Sequence, residues 1–472
     1  MRRHPGNALL LAVLAAAGLA GLAACSQQSA PTLVTLQVLG KRNAPTDASW
    51  VAVADGTGVW HPLSSSWPGT YQVRPDRLGR YSIALGCASD PPSVTVFHGT
   101  IDEALTLTAK CEAEDDEGCA DAMALPASTP QASPVELRGP APGGTLTPLA
   151  GALLYTIDVA GLPPGERAFT YFHGDPLALD EAMGPVYVSL GRDNVLFFTL
   201  IAPETAVGSG APAANAVTAW SWSTASSGQP AVHVIAGGIG GNVAVPEHGT
   251  ATVLGAYGDA VAAKATLKLP HAVRVPLGNA GSDTLTYHLV PATLSAESDE
   301  ATTMLSATAV GAPDATGARP IRVVRKALPL GAAADETLAL PTTPMAATDR
   351  LPDGTVRWSA YRDAQLGAAQ AYQLTTTVGP AAAPTLVWRA AITPGWLAVG
   401  GATESFQYRN PDLAAVAGSG WLLEEAAGTW ELDALLGMDA AGGSLDLPSV
   451  LRGEGPESPD TTLWSAGRSG PL

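Results

Sequence analysis

The sequence predicts an all-β, multidomain protein built from tandem β-sandwich modules with few short helices. Three observations carry this prediction. Short runs of alternating apolar and polar residues recur along the 472 residues, and this period of two is the pattern of a strand with one buried face. The 51 glycines and 39 prolines interrupt these runs and leave little room for long helices. The length also exceeds that of one ordinary domain.

The chain opens with a cationic and then apolar segment that ends in Leu22-Ala23-Ala24-Cys25. This segment resembles the lipobox of bacterial lipoprotein precursors. The resemblance implies signal cleavage between Ala24 and Cys25, lipidation of Cys25, and a tether to the membrane through acyl chains. Residues 1–24 are then a lipoprotein signal peptide and residues 25–31 a lipidated tether. A plain secretory signal and an uncleaved anchor are the alternatives, although the apolar stretch is shorter than the ~20 residues that span a membrane.

The residue after the lipidated cysteine and the charge of the chain bear on location and partners. Ser26 follows Cys25, which in lipoproteins of this kind implies transfer to the outer membrane where the organism has two membranes. The formal net charge is −18 and becomes −20 when Arg2 and Arg3 leave with the signal peptide. An acidic surface repels phosphate backbones and anionic headgroups, so we expect no nucleic-acid partner and a membrane bond through Cys25 alone.

Residues 32–119 are predicted to form the first β-sandwich module. Its turns follow one another at the short, regular intervals of a sandwich. The run 76–81 contains Asp76 and Gly79, which suit a turn, and Tyr81, which opens the next strand with its ring inward. The candidate strands are 32–39, 49–55, 69–75, 79–85, 93–98 and 104–110.

The run 76–81 resembles the D-x-x-G-x-Y turn and strand of prealbumin-like and carboxypeptidase-regulatory-like β-sandwiches. The resemblance covers this module only. It implies a scaffold or binding module and brings no catalytic residue. The expected fold class is therefore a series of immunoglobulin-like or prealbumin-like β-sandwich modules.

The chain has four cysteines, Cys25, Cys87, Cys111 and Cys119. With Cys25 lipidated, three remain for an oxidising compartment, so at most one internal disulfide is expected. Cys87 and Cys111 each close a strand-like run of one small module, which favours a Cys87–Cys111 bond. Cys111–Cys119, across a short acidic loop, is the alternative, because pairing depends on a Cα separation within about 7 Å that the sequence does not give.

The composition changes after Cys111. The acidic run 112–117 offers carboxylates to calcium, but it lacks the order of an EF-hand loop, and a solvated acidic turn is the favoured interpretation. Residues 120–134 are rich in alanine, serine and proline and are predicted to be a linker.

Residues 135–345 continue the strand pattern and have room for one or two sandwiches. The most site-like segment lies here, where His173 and Asp175 follow a strand end, with Asp180 and Glu181 close behind. Loops after strands build many sites, but the spacing matches no metal family, so a capped turn is favoured. The glycine-rich run 237–242 lacks the spacing and the following helix of a phosphate loop and is predicted to be a hairpin turn.

Residues 346–472 are predicted to be a tryptophan-rich β domain with a loose C-terminal tail. Strands are predicted at 355–361, 371–378 and 385–392, and short helical turns at 411–418 and 430–437. The tryptophans either fill a core that is otherwise poor in large side chains or form an exposed platform for a glycan or protein, and the core is favoured. They are Trp358, Trp388, Trp396, Trp421, Trp430 and Trp464.

No sequence motif identifies a catalytic or ligand-binding activity. The chain contains no G-x-S-x-G elbow, Walker loop, H-E-x-x-H or C-x-x-C motif. We therefore expect no catalytic residue, metal site or cofactor, and a non-enzymatic envelope lipoprotein that presents β modules to another envelope protein or a glycan. The alternatives are an envelope hydrolase or metal-dependent enzyme with a site near His173 and Asp175, and a glycan-binding protein that uses the C-terminal tryptophans.

Overall fold

The computed structural model describes residues 32–40 and 45–111, the strands and a few connecting residues between 137 and 244, and most of residues 247–472. The gaps in the last range are 270–272, 297–300, 333, 381–382, 399–403, 424–427, 440 and 452–458. The described residues are mostly β-strands arranged in several sheets, with a few short helices. The prediction of a multidomain all-β fold is confirmed. None of the helices in the described part is long and apolar enough to cross a membrane.

The first module contains seven strands in two sheets. One sheet has the order β4-β1-β7, and the other strands belong to a larger sheet with the local order β3-β2-β5-β6. The strands are β1 (Val34–Leu39), β2 (Trp50–Ala54), β3 (Trp60–Pro62), β4 (Thr70–Val73), β5 (Arg80–Cys87), β6 (Ser93–Thr100) and β7 (Thr106–Lys110).

The second module also forms two sheets, with the orders β15-β9-β12-β8 and β11-β10-β13-β14-β16. Its strands are β8 (Leu137–Arg138), β9 (Leu153–Asp158), β10 (Glu166–Tyr171), β11 (Leu177–Leu179), β12 (Val186–Leu190), β13 (Val195–Pro203), β14 (Ala219–Ala225), β15 (Ala231–Val234) and β16 (Asn242–Ala244).

The third module repeats the plan of the first. Its sheets have the orders β20-β17-β23 and β19-β18-β21-β22. Its strands are β17 (Glu247–Leu254), β18 (Ala260–Lys268), β19 (Arg274–Ala280), β20 (Thr284–Leu289), β21 (Thr302–Val310), β22 (Arg319–Leu328) and β23 (Asp335–Ala339).

The fourth module pairs the sheet β24-β25-β30 with four strands in the order β29-β28-β31-β32, and β26-β27 form a separate hairpin. Its short helices are Pro394–Leu397, Ala414–Ala417 and Leu447–Leu451. Its strands are β24 (Asp349–Arg350), β25 (Val356–Ser359), β26 (Arg362–Asp363), β27 (Gly367–Ala368), β28 (Ala371–Val378), β29 (Leu386–Ile392), β30 (Ser405–Tyr408), β31 (Gly428–Met438) and β32 (Thr462–Pro471).

The first and third modules share one strand order, and the second module repeats it over β9–β15. The first strand lies between the fourth, to which it is antiparallel, and the seventh, to which it is parallel; the other sheet runs third-second-fifth-sixth. This order differs from the A-B-E-D and C-F-G sheets of an immunoglobulin constant domain. In the fourth module, two-residue β24 occupies the place of the seventh strand.

Three modules contribute to one continuous sheet of twelve strands. β6 of the first module pairs in parallel with β29 of the fourth, and β32 of the fourth pairs antiparallel with β22 of the third. The two faces of this sheet belong to different cores. Val94 and Val96 of β6 pack into the core of the fourth module, whereas Ala391 and Leu435 of the fourth module pack into the core of the first. These modules therefore share a layer.

Four turns share the same D-x-x-G sequence and geometry, at residues 55–58, 76–79, 314–317 and 439–442. In each turn the glycine N–H donates to the aspartate carbonyl at 3.0 Å, and the aspartate Oδ1 accepts from the backbone N–H two and four residues later. Every one of these glycines has φ between 75° and 86°, in the left-handed region that favours glycine. The prediction of a turn at 76–81 identified one of the four.

The structure corrects the prediction of a helical turn at 430–437. These residues lie within β31, whose burial alternates along most of its length. Leu432, Ala434 and Leu436 face the core of the fourth module, and the intervening side chains face the other way. The neighbours β28 and β32 satisfy the backbone hydrogen bonds of this segment, which overrides its local helix propensity. The turn predicted at 411–418 contains the short helix Ala414–Ala417.

Candidate functional site

A large groove lies where the first module meets the outer face of the fourth. Its volume is about 1110 Å³, above the range of ~300–1,000 Å³ that suits drug-sized ligands. The floor is formed by β28, β29, β31 and β32, with β6 and β22 at the sides. The wall comes from β1 and β7 of the first module, the loop 89–91 and the helix Leu447–Leu451. The groove exists because three modules share one sheet while the first module covers only part of its outer face.

The floor carries polar side chains in register on neighbouring strands. Thr375 stands opposite Arg389 on one side and Glu431 on the other, which forms one cross-strand row. The next row contains Gln373 and Asp433, which lie directly opposite each other. Since residues two apart on a strand share a face, Glu431 and Asp433 both project into the groove.

The two carboxylates of β31 define the electrostatics of the groove. Burial raises the pKa of Asp433 well above its usual value, and the neighbouring charge of Glu431 and a hydrogen bond with it act in the same direction; Arg325 and Ser465 oppose the shift but are weaker. Asp433 Oδ1 is shielded from solvent and accepts no hydrogen bond. Neither carboxylate takes part in the ion pairs of the described residues. The pair is therefore an incompletely satisfied acidic site.

The carboxyl group of Asp433 lies against Gly467, which is its direct partner on β32. A Cβ atom at position 467 would overlap with Asp433 Oδ1. The missing side chain therefore makes the space that this carboxyl group occupies.

The wall of the groove includes an open strand edge. β7 lies at the end of its three-stranded sheet, with β1 as its single strand neighbour among the described residues. Thr108 and Lys110 of this strand line the groove. Cys111 follows β7 directly and is bonded to Cys87 at the end of β5, with a Cα–Cα distance of 5.1 Å. The disulfide that the sequence favoured therefore fixes β7 to the larger sheet.

A buried contact on the other face of the sheet holds the first module to the fourth. His98 of β6 is buried, with Nδ1 2.8 Å from Ser82 Oγ and Nε2 3.1 Å from Tyr408 Oη. Burial raises the pKa of Tyr408, so its hydroxyl group donates to Nε2, and Nδ1–H then donates to Ser82. Trp396 packs on the imidazole with a centroid distance of 4.3 Å.

A second contact lies nearby. The carboxylate of Glu103 accepts hydrogen bonds from Gly395 N at 2.7 Å and from Thr393 Oγ1, at the start of the helix Pro394–Leu397. The two contacts and the β6–β29 pairing set the position of the groove wall against its floor.

Of the predicted site residues, Cys87 and Cys111 are described by the structure and most of the others are not. Ala24, Cys25 and Cys119 lie outside the described residues, so signal cleavage and lipidation stay predictions. His173, Asp175, Asp180 and Glu181, the acidic run 112–117, the linker 120–134 and residues 237–241 lie outside them too. Among the residues that are described, no group of three or more His, Cys, Asp and Glu could hold a metal ion.

The C-terminal tryptophans are core residues. Trp358, Trp388 and Trp430 are between 1% and 5% exposed, and all three belong to the core of the fourth module. Trp396, Trp421 and Trp464 are half-buried and pack against the same core. Their position favours the core interpretation over an exposed glycan platform.

The sequence did not single out Glu431 or Asp433. A helical interpretation of 430–437 places these carboxylates 200° apart around a helix axis, at about 100° per residue. As a strand, the same segment shows Trp, Leu, Ala and Leu alternating with Glu, Asp and Leu, which is the available signal for a polar outer face.

No protein-family model and no curated protein matches the chain. Solved structures give distant similarity. The TIE protein of Bacillus anthracis is 13% identical with a TM-score of 0.15 over 65% of this chain, which spans 50% of that protein. The FN1–FN3 domains of chicken CNTN1 are 9% identical with a TM-score of 0.12, over 59% of this chain and 84% of that one. Similarities at this level carry no function to the chain.

Proposed function

We propose that the protein is an envelope lipoprotein, anchored through acyl chains on Cys25, that binds another envelope protein through its rigid β scaffold. The observation that supports binding most directly is the groove, because its size, polar floor and unsatisfied carboxylate suit an extended ligand. The lipobox at Leu22–Cys25 supports the anchor. The acidic composition leaves the acyl chains as the attachment to an anionic membrane surface.

Affinity capture from intact envelopes tests the binding function. A C-terminally tagged wild-type protein and its Cys25→Ala variant are purified after in vivo crosslinking, and metabolic labelling with an alkyne fatty acid reports lipidation. We expect the label on the wild type alone, and a partner that the wild type enriches and the untethered variant loses. Equal labelling of the two proteins would exclude the anchor, and the absence of any enriched protein would exclude the binding function.

The alternative function, a metal-dependent enzyme, is tested at His173 and Asp175, which lie outside the described residues. A His173→Ala variant is expected to retain the stability of the wild type. Stoichiometric metal in the purified wild type that is lost from this variant would replace the binding proposal with a metal-dependent one.

A further inference from the structure

The groove beside Glu431 and Asp433 has no assigned ligand, and its chemistry narrows the choice. We propose that it binds an extended peptide segment of a partner protein, with a lysine or arginine side chain placed on Glu431 and Asp433 and the peptide backbone alongside β7. This inference rests on the proposed binding function and names the site and the partner chemistry for it.

The open edge of β7 favours a peptide. An edge strand offers unpaired backbone N–H and C=O groups, and adding a strand to such an edge is a recurring mode of peptide recognition. The β7 strand is the end of its sheet among the described strands, and it lines the groove through residues 108–110. A peptide here would extend the β4-β1-β7 sheet, and its side chains would meet the polar floor.

The floor favours a cation. Asp433 Oδ1 is buried without a hydrogen-bond partner, and Glu431 stands two residues away on the same face. A cationic donor placed on this pair would give Oδ1 a hydrogen-bond partner and offset the cost of ionising Asp433 at a partly buried position. Lys110, Arg325 and Arg389 also line the groove. The charge of Arg325 acts against the raised pKa of Asp433, but neither arginine forms an ion pair with Glu431 or Asp433. The net charge of −18 favours the approach of a basic partner at long range.

The aromatic side chains of the groove disfavour a glycan. Sugar rings are held by stacking on exposed aromatic faces, whereas the described aromatic residues that line the groove are Phe97 and Trp464. Phe97 is 5% exposed and belongs to the core of the first module. The indole N–H of Trp464 donates to Ala339 O at 2.9 Å, and its ring packs into the cores on the opposite face.

Calorimetric titration of the purified full chain with defined peptides tests the site. The first probe is a nonapeptide of alternating serine and valine with a central lysine, and the second has norleucine in place of this lysine. The third is the lysine peptide with methylated backbone amides, which cannot donate backbone hydrogen bonds. We expect the lysine peptide to bind at least ~5-fold more tightly than the norleucine peptide, as one charge-assisted contact of about 1 kcal/mol gives. The N-methylated peptide should bind more weakly by a similar factor.

The matched protein variants separate the groove from general acidity. Glu431→Gln/Asp433→Asn should bind the lysine and norleucine peptides equally, since the amides keep the shape and remove the charge. Glu404→Gln/Asp349→Asn makes the same pair of amide substitutions, with the same change in formal charge, at two exposed positions outside the groove and should keep the preference for lysine. Thermal unfolding of both double variants verifies that they are folded.

The outcomes distinguish the site from the function. Equal binding of the lysine and norleucine peptides by the wild type, a lysine preference that survives in Glu431→Gln/Asp433→Asn, or binding of an N-acetylglucosamine hexamer instead of the peptides would overturn the assignment. The envelope capture is repeated with the groove variant. If the wild type and the variant enrich the same partner equally, the groove assignment fails and the proposed function stands; if the wild type enriches nothing, the proposed function itself fails.

Discussion

His98 shows how burial sets the charge of one residue. Its imidazole has polar contacts with Ser82 and Tyr408 but faces no carboxylate in these contacts, and burial lowers its pKa to about 3. In the unfolded chain a histidine titrates near pH 6.5. The unfolded state therefore binds a proton between about pH 6.5 and 3 that the folded state does not bind, and stability falls as the pH falls through this window.

A His98→Gln variant tests whether stability falls with pH because of His98. Between pH 7 and pH 5 the wild type should lose about 2 kcal/mol of unfolding free energy through His98, and the variant should not lose this part. Denaturant unfolding of both proteins at the two pH values measures the difference. Carboxylates whose pKa is lowered, such as Asp363 at about 2, stay ionised across this range and do not contribute. A parallel pH dependence of the two proteins would contradict the assignment.

Asp433 has the opposite effect on the pH dependence of stability. Because burial and Glu431 raise its pKa, the folded state keeps a proton that the unfolded state releases above about pH 4, so this residue costs stability as the pH rises. An Asp433→Asn variant should therefore gain stability over the wild type, with a gain that grows from pH 5 to pH 8 by up to about 1.4 kcal/mol per pH unit. Unfolding curves of Asp433→Asn and of the exposed control Asp349→Asn give the comparison. A gain that is flat with pH would show that Asp433 is ionised throughout.

At the scale of elements, the D-x-x-G turns require a positive φ at their fourth residue, which favours glycine there. Gly58 has φ = 86°, and no atom lies within 4 Å of the position that a Cβ would take there, so the cost of a side chain is purely conformational. A Gly58→Ala substitution should destabilise the protein by about 1–2 kcal/mol. Gly281→Ala is the matched control, since that position is equally open and has no positive φ. Its expected effect is a small stabilisation of about 0.4–1 kcal/mol through the unfolded chain.

Thermal unfolding of Gly58→Ala and Gly281→Ala measures these opposite effects. Equal effects at the two positions would show that the turn at 55–58 does not require the left-handed conformation. The same demand applies to the turns at 76–79, 314–317 and 439–442, where φ is also positive.

Sequence patterns predicted individual strands better than their partners. β28 and β29 were predicted within one residue of their bounds, because Leu374 and Trp388 stand in clear alternating runs. The prediction for β31 was wrong, since its glutamate, leucine and alanine residues favour a helix locally and its neighbours decide otherwise. The wrong prediction for β31 also prevented the prediction of the acidic pair, because Glu431 and Asp433 share one face only when the segment is a strand.

At the scale of the whole molecule, the pairing between modules left no signal in a single chain. Thr95 of β6 stands opposite Arg389 of β29, almost 300 positions later, and Val323 of β22 stands opposite Ser465 of β32. Any exposed edge strand with an alternating pattern has suitable backbone groups for such pairing, so the pattern does not identify the partner. Both the twelve-stranded sheet and the groove depend on these two junctions, and neither was predicted.

The shared sheet should make the first and fourth modules unfold together. Removing the disulfide with Cys87→Ala/Cys111→Ala frees a segment closed by a sequence separation of 24 and should cost about 3.5 kcal/mol in the loop-entropy model. The Cys87–Cys111 core also contains Ala371, Ala391 and Leu435 of the fourth module, so the loss should reach β28, β29 and β31. Peptide-resolved hydrogen exchange under native conditions measures this transfer directly.

We expect amides of β28 and β31 to exchange faster in Cys87→Ala/Cys111→Ala by a factor close to that of β5 and β6, because one opening event exposes all four strands. Strands β10, β13 and β14 of the second module provide an internal control, since they belong to a different sheet and to the core shared with the third module. Their exchange should change much less. Faster exchange confined to β5, β6 and β7 would mean that the first module opens alone and that the β6–β29 junction separates readily, and the groove wall would then move independently of its floor.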